Sequence, residues 1–338
     1  MTPELRRESD SLDYGTEGSR GVALPVADHH RSHAPRVELE ALDELWFQVA
    51  GTVCNLRCKH CFISCAPDNH SHWFMEREKV QGYLRESAEL GVKEYYFTGG
   101  EPFMHREMEG ILEDTLAYGP ASVLTNATLM PERRAGELAR IRDASPYTLE
   151  LRVSLDGVTA EMNDAIRGEG MFERCLEGVE RLVRHGFLPI LTCMRSWPEA
   201  DHEAMLARFR TVLAEVGYGR PRIKILPPIL MGEEAERSRG YDRYERVTHE
   251  MMEGFDPTTL LCSRARLVSA RGVHACPILL ESPDALLGTG LKEAAATPVA
   301  LAESACYTCY MSGSICSNLP TGAGEPSVEG SPVPQGEG

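Results

Sequence analysis

Three cysteines lie within the eight residues CNLRCKHC, at Cys54, Cys58 and Cys61, shortly after the apolar run LWFQVAG. Thiolates this close together hold metal. A structural zinc needs four ligands in a closed tetrahedron, and Cys65 or His60 could complete such a set. An iron–sulfur cube can instead be held by three thiolates, leaving one iron open to a ligand that is not protein. Spacing alone leaves both chemistries standing.

A second group follows near the C-terminus: Cys262, Cys276, Cys306, Cys309 and Cys316. The segment between Cys262 and Cys276 contains Gly272 and suits a hairpin that brings the two sulfurs together. Cys306 and Cys309 form a CxxC. Four thiolates would saturate a cube, and a zinc ribbon fits the same spacing. The chain has 11 cysteines, gathered in groups rather than spread over a short scaffold, which in a reducing compartment points to metal ligands over disulfides. Cys175, in an amphipathic helical stretch, and Cys193, in a strand, read as small core residues.

The elements that must position these groups alternate. Strand-like ELWFQVAG, KEYYFTGGE, ASVLTN, TLELRVSLDG, LPILTCM and RIKILP are separated by helix-like stretches such as MEREKVQGYLRESAELG, PERRAGELARIRD and MFERCLEGVERLVRHG. Six strands alternating with helices imply right-handed crossovers and a parallel sheet. In LELRVSLD the alternation puts Leu149, Leu151, Val153 and Leu155 on one face and Glu150, Arg152, Ser154 and Asp156 on the other. A strand covered by helices on both faces would not carry such charges. A barrel with a polar interior would, with its chemistry at the carboxyl ends of the strands. In RIKILP, Arg222 and Lys224 repeat the pattern, so Arg152, Arg222 and Lys224 become candidates for holding an anionic substrate. An exposed edge strand is the plainer alternative.

CNLRCKHC resembles the CxxxCxxC signature of the radical S-adenosylmethionine (radical SAM) superfamily, and further motifs follow in that family's order over residues 45 to about 228. The resemblance implies a partial (β/α)6 TIM-type barrel in the α/β class, with a small C-terminal Cys-rich iron–sulfur extension. It implies a 4Fe–4S cluster on Cys54, Cys58 and Cys61, with S-adenosylmethionine chelating the fourth iron. Reductive cleavage would then give a 5′-deoxyadenosyl radical that abstracts hydrogen from a substrate. Cys65 has no role in this scheme and is read as a bystander. His60 stands where the family has an aromatic ring near the adenine. Thr98, Gly99, Gly100 and Glu101 match the glycine-rich motif at the end of the second strand, where the glycines would let the backbone approach the ligand's amino group and Glu101 would help to hold it. Asn126, Ser154 and Asp156 match cofactor-contacting positions, and Arg167 is a partner for the cofactor carboxylate. Asn163 replaces the family's usual His, so a role tied to that His is not carried over. The second cysteine group resembles a twitch or truncated SPASM extension with one auxiliary 4Fe–4S cluster on Cys262, Cys276, Cys306 and Cys309, Cys316 being a substitute for one of the CxxC pair.

The expected layout is an arm without secondary structure over 1–40, the barrel over 41–228, a helical connector over 229–258, the auxiliary domain over 259–318 and a low-complexity tail over 319–338. With 35 Lys plus Arg against 51 Asp plus Glu, the net charge of −16 disfavours a nucleic-acid partner. The sequence has no run of 18 uncharged apolar residues and no signal core, so a membrane partner is not expected and the cytoplasm is the default. The expected partners are a small-molecule substrate or a peptide, and an electron donor such as flavodoxin or ferredoxin. The leading function is oxidation or rearrangement of a small metabolite. The alternatives are maturation of a ribosomally made peptide and, from a different class, a zinc-binding scaffold.

Overall fold

The computed structural model describes residues 33–313. The arm up to residue 32, Cys316 and the tail lie outside the described residues. Eleven strands run in chain order: β1 (Arg36–Val37), β2 (Glu44–Gln48), β3 (Glu94–Thr98), β4 (Ala121–Thr125), β5 (Leu149–Ser154), β6 (Ile190–Met194), β7 (Arg222–Leu226), β8 (Ala265–Ser269), β9 (Gly272–His274), β10 (Leu286–Gly288) and β11 (Val299–Ala300). Strands β2 to β7 lie side by side in chain order and pair in parallel. This is the six-stranded α/β half-barrel that the alternation of elements predicts.

The helices between these strands are α1 (Arg77–Leu90), α2 (Met108–Thr115), α3 (Glu132–Asp143), α4 (Ala160–Arg167), α5 (Met171–Arg184) and α6 (His202–Glu215). Helix α1 shows why they form. Val80, Tyr83, Leu84 and Ser87 are its buried residues, at the spacing that places them on one face. Gly91, with φ 75°, closes the helix by donating its N–H to Ser87 O. Helix α5 buries Phe172, Cys175, Leu176, Val179 and Leu182, and Cys175 is thus a core residue, as is Cys193 on β6.

Each strand face joins a different core. Leu45 and Phe47 of β2, Tyr95 and Phe97 of β3, and Leu149, Leu151 and Val153 of β5 pack with the helices in one cluster. Trp46 and Tyr96, register partners on the opposite face, belong to a second cluster inside the curl of the sheet, together with Cys54, Cys262 and Cys276. Their rings stack with centroids 4.2 Å apart and planes 7° from parallel, an arrangement that contributes about 0.5–1.5 kcal/mol beyond the area buried. The inner core thus brings both cysteine groups to one side of the sheet.

Beyond β7 the connector holds two short helices, α7 (Gly232–Arg237) and α8 (His249–Met252). The expected hairpin exists: β8 and β9 pair antiparallel. It is not a separate sheet. Strand β8 also pairs in parallel with β2, so the hairpin and β10 extend the main sheet to nine strands. Helices α9 (Leu291–Ala295) and α10 (Ser304–Ser312) complete this region. The expected arm boundary also moves, because Arg36–Val37 pair antiparallel with Val299–Ala300 and Val37 is buried. A two-residue strand flanked by Pro and Glu carries no periodicity to be read. No helix among the described residues is long and apolar enough to cross a membrane.

Candidate active site

The loop carrying Cys54, Cys58 and Cys61 leaves the carboxyl end of β2. It is fastened at three places by backbone hydrogen bonds: Glu101 N donates to Val53 O at 3.1 Å, Lys59 N to Ile166 O at 2.9 Å and Glu233 N to Cys61 O at 3.0 Å. The barrel strands, helix α4 and the connector therefore all set the loop's position. Two sulfurs already receive main-chain N–H groups, Leu56 N on Cys54 Sγ at 3.4 Å and Cys65 N on Cys61 Sγ at 3.2 Å. Such donors stabilise negative charge on a sulfur and tune a cluster bound there.

Burial pushes the Cys54 thiol up to about 12 and the Cys58 thiol up to about 11, Arg167 opposing the rise at Cys58. Cys61 is pulled down to about 6, first by the hydrogen bond from Cys65, with burial opposing. Metal binding at the first two must displace protons. Cys65, read as a bystander, is therefore a hydrogen-bonding neighbour of a ligand position. Its spacing from Cys61 is the only sign of this in the sequence.

Opposite the loop, Asp156 gathers a buried charge network. Its Oδ2 lies 2.6 Å from His60 Nε2 and 2.6 Å from Arg167 Nη2, while its Oδ1 accepts from Met194 N at 2.8 Å. Burial alone would raise this carboxyl, but Arg167 and His60 outweigh it and hold Asp156 well below the usual carboxylate range. Burial likewise works against the Arg167 charge, and Asp156 and Cys58 more than restore it. Arg167 Nη1 stands 4.0 Å from Cys58 Sγ, so the network touches the cysteine loop. Asn163, where a His was expected, accepts from Asp156 N at 3.1 Å through Oδ1. The buried atoms His60 Nδ1, Arg167 Nε and Thr192 Oγ1 have no hydrogen-bond partner among the described residues. A polar ligand at this end of the sheet would satisfy them.

The glycine-rich turn packs tightly against the cysteine loop. A Cβ on Gly100 would lie 2.0 Å from Val53 O and 2.7 Å from Cys54 N, and one on Gly99, whose φ is 152°, would lie 2.8 Å from the Ala50 Cβ. Protein backbone already makes the close approach the glycines permit. Glu101 is fully buried, with Oε1 accepting from Phe103 N at 3.1 Å and Thr125 Oγ1 at 2.8 Å, and Oε2 accepting from Asn126 N at 2.8 Å. Its carboxylate fixes the end of β4. Asn126, so placed, donates from Nδ2 to Asn55 Oδ1 at 2.9 Å and lies 4.0 Å from Cys54 Sγ. Gly100→Ala is expected to cost about 1–3 kcal/mol by overpacking and to displace the loop, read as a lowered Tm together with loss of iron from the first cysteine group.

Of the three candidate substrate cations, two face inward. Arg152 is buried and acts electrostatically on Glu44 and Tyr96. Lys224 is in register with Thr192, which is in register with Ser154, so these three share one level of the inner face. Arg222 does not join them. It is the first residue of β7, exposed at the amino end of the strand, where its Nη1 pairs with Glu150 at 2.7 Å and its Nε donates to Leu188 O at 3.1 Å. Register sets it level with Arg152 through Ile190, but its exposure and its pairing with Glu150 keep it out of the inner face.

The second cysteine group converges. Cys262, Cys276, Cys306 and Cys309 line one small apolar cavity. Cys262 sits on a 3₁₀ turn, Cys276 follows β9, and Cys306 and Cys309 are three apart on α10. None of the four is in a disulfide among the described residues. Burial pushes Cys276 up to about 11 and also raises Cys262 and Cys306, with neighbouring thiols adding to the rise.

Comparison with known proteins bears on this geometry. Residues 49–208 match the family described as the radical SAM superfamily. The GTP 3′,8-cyclase of Pectobacterium atrosepticum is 30% identical over 144 residues, covering 41% of this chain and 42% of that protein. The mycofactocin maturase MftC of Mycolicibacterium smegmatis is 27% identical over 159 residues, covering 46% and 39%. The chain thus spans less than half the length of these relatives. Among solved structures, Streptococcus suis SuiB bound to S-adenosylmethionine superposes with a TM-score of 0.56 at 14% identity, covering 73% of this chain and 63% of that one. Native anSMEcpe with bound AdoMet gives 0.55 at 17% identity, covering 74% and 79%. At those identities the structural likeness speaks for the fold.

Proposed function

Because the chain carries a radical SAM domain over residues 49–208, we propose that it is an enzyme that cleaves S-adenosylmethionine reductively and takes hydrogen from a substrate. The observation that carries this reading is the three-thiol loop, fastened at the carboxyl ends of parallel strands beside the buried His60–Asp156–Arg167 network. Cys54, Cys58 and Cys61 would hold a 4Fe–4S cluster by three corners. When bound, that cluster and S-adenosylmethionine supply the one-electron cleavage of a carbon–sulfur bond that makes hydrogen removal possible. The remaining contributions come from side chains. His60 and Arg167 present Nδ1 and Nε, polar atoms with no partner among the described residues, for a ligand. Asp156 fixes both by holding their other nitrogens. Main-chain N–H groups on Cys54 and Cys61 stabilise thiolate charge, and the apolar inner core around Cys54 excludes water. A flavodoxin- or ferredoxin-type donor would deliver the electron.

The test is anaerobic reconstitution with iron and sulfide, strong reductant and S-adenosylmethionine, followed by assay of 5′-deoxyadenosine. Release of that product together with methionine is expected, and a protein that binds no iron or forms no 5′-deoxyadenosine sinks the reading.

For substrate, the inward-facing Arg152 and Lys224 favour a small anion such as a phosphate or carboxylate, in the manner of a nucleotide-cyclising relative. A hydrogen bond to a charged group contributes about 1.5–3 kcal/mol, so Lys224→Ala is expected to raise KM about tenfold or more. Arg222→Ala should leave KM unchanged. Equal behaviour of the two variants would remove the anion from the proposal. A peptide substrate is the second reading, favoured by the likeness to a maturase and by the fold shared with SuiB bound to its precursor peptide SuiA. The same 5′-deoxyadenosine assay run with metabolite and peptide fractions distinguishes them.

A further inference from the structure

Arg266, on β8, is fully buried at 0% exposure. Its guanidinium donates to four main-chain carbonyls: Cys262 O at 2.7 Å, Ala265 O at 2.9 Å, Ala294 O at 3.1 Å and Thr297 O at 3.2 Å. These bonds satisfy its N–H groups and tie the start of the hairpin to α9. They do not neutralise its charge. Among the described residues it forms no ion pair with a carboxylate, and the ionisable groups that act on it are Cys262 and Cys276. Burial lowers its proton affinity to about 10 while those two sulfurs pull the other way. An unpaired cation in a protein interior is strongly unfavourable. The carbonyl dipoles solvate the guanidinium but carry no net charge, so the charge itself needs a partner.

We propose that Arg266 is the built-in counter-charge of an auxiliary iron–sulfur cluster held by Cys262, Cys276, Cys306 and Cys309, and that it raises that cluster's reduction potential. This rests on the reading of those four thiols as cluster ligands. A cube bound by four thiolates carries net negative charge, and reduction adds one more electron to it. A fixed cation beside the first two ligands stabilises the reduced form more than the oxidised one. Acting through a protein interior, one unit of charge at cluster range shifts a one-electron equilibrium on the order of tenfold, equal to about 59 mV. The effect is electrostatic positioning: Arg266 touches neither substrate nor the open iron of the first site.

The experiment uses the full chain with Cys54→Ala, Cys58→Ala and Cys61→Ala, so that only the second group can carry a cluster, reconstituted anaerobically. Its potential is measured by redox titration followed by electron paramagnetic resonance. Arg266→Gln, which keeps two N–H donors and removes the charge, is expected to make reduction about tenfold less favourable, while Arg266→Lys stays near the parent. A parent that binds about four iron but whose potential is unmoved by Arg266→Gln overturns the inference and leaves the cluster reading intact. A parent that binds no iron overturns the cluster reading and the inference with it. If Arg266→Gln fails to retain iron, Arg266→Lys decides: retention supports the counter-charge, and equal loss shows a structural tie and overturns it.

Discussion

Replacing Cys58 by alanine is expected to abolish formation of 5′-deoxyadenosine and to lower the iron content from about eight to about four per chain. The argument is geometric. The loop offers Cys54, Cys58 and Cys61 as candidate ligands, while the Cys65 main-chain N–H donates to Cys61 Sγ at 3.2 Å and its own Sγ lies 3.8 Å from Gly99 O. Cys58 is also the thiol that Arg167 approaches, at 4.0 Å, so its loss uncouples the cluster from the charge network that reaches Asp156. The four thiols of the second cavity lie on other elements and should keep their iron. Iron and sulfide analysis beside the cleavage assay reads both halves of the expectation. Full iron with undiminished cleavage in Cys58→Ala would refute the three-thiol site. Stoichiometric zinc and no iron in the wild-type chain would favour a scaffold instead.

Asp156→Asn should destabilise the protein by about 3–5 kcal/mol, the range seen when one partner of a buried ion pair is removed. An asparagine can still accept from Met194 N through its oxygen. Its amide nitrogen then faces the donors of His60 and Arg167, leaving a buried guanidinium without its carboxylate. The sign with pH follows from the depressed carboxyl. Because Asp156 ionises at lower pH in the folded chain than in the unfolded one, its stabilisation is complete above the unfolded value of about 3.9. It is lost only as pH falls from there through the folded value. Urea denaturation of wild type and Asp156→Asn should therefore show a constant gap from pH 7 down to about 4, shrinking only in stronger acid. A gap that closes between pH 7 and 5 would mean that another group, not Asp156, carries the effect. The variant is also expected to weaken S-adenosylmethionine binding, since His60 and Arg167 lose their fixed orientation.

Much of this site can be read in the residues themselves. The spacing of Cys54, Cys58 and Cys61 after an apolar strand marks the candidate metal loop, and the alternation in LELRVSLD correctly sends Arg152 and Asp156 inward. Gly272 between Cys262 and Cys276 marks a real hairpin. These are local signals: a period of two names the face of a strand, and a short loop limits how far its thiols can separate.

Depth along a strand and the identity of a partner are not local. Arg222 and Lys224 carry the same alternation, yet only the folded chain shows that Arg222 is exposed at the first position of β7 and pairs with Glu150. Glu101 resembles a ligand-binding acid in sequence. Folding brings Thr125 and the Asn126 N–H to its oxygens from 24 and 25 residues away.

The sequence by itself determined the chemistry available here: three closely spaced thiols, a second group of five cysteines, and a parallel sheet to carry them. The tertiary structure alone decided which charges face one another. It placed His60 and Arg167 on Asp156, set β8 beside β2, and buried Arg266 among carbonyls with two sulfurs as its electrostatic neighbours. The reason is that composition and periodicity encode what each residue can do and which way it points, whereas the energy of a buried charge depends on partners that only long-range packing brings within reach.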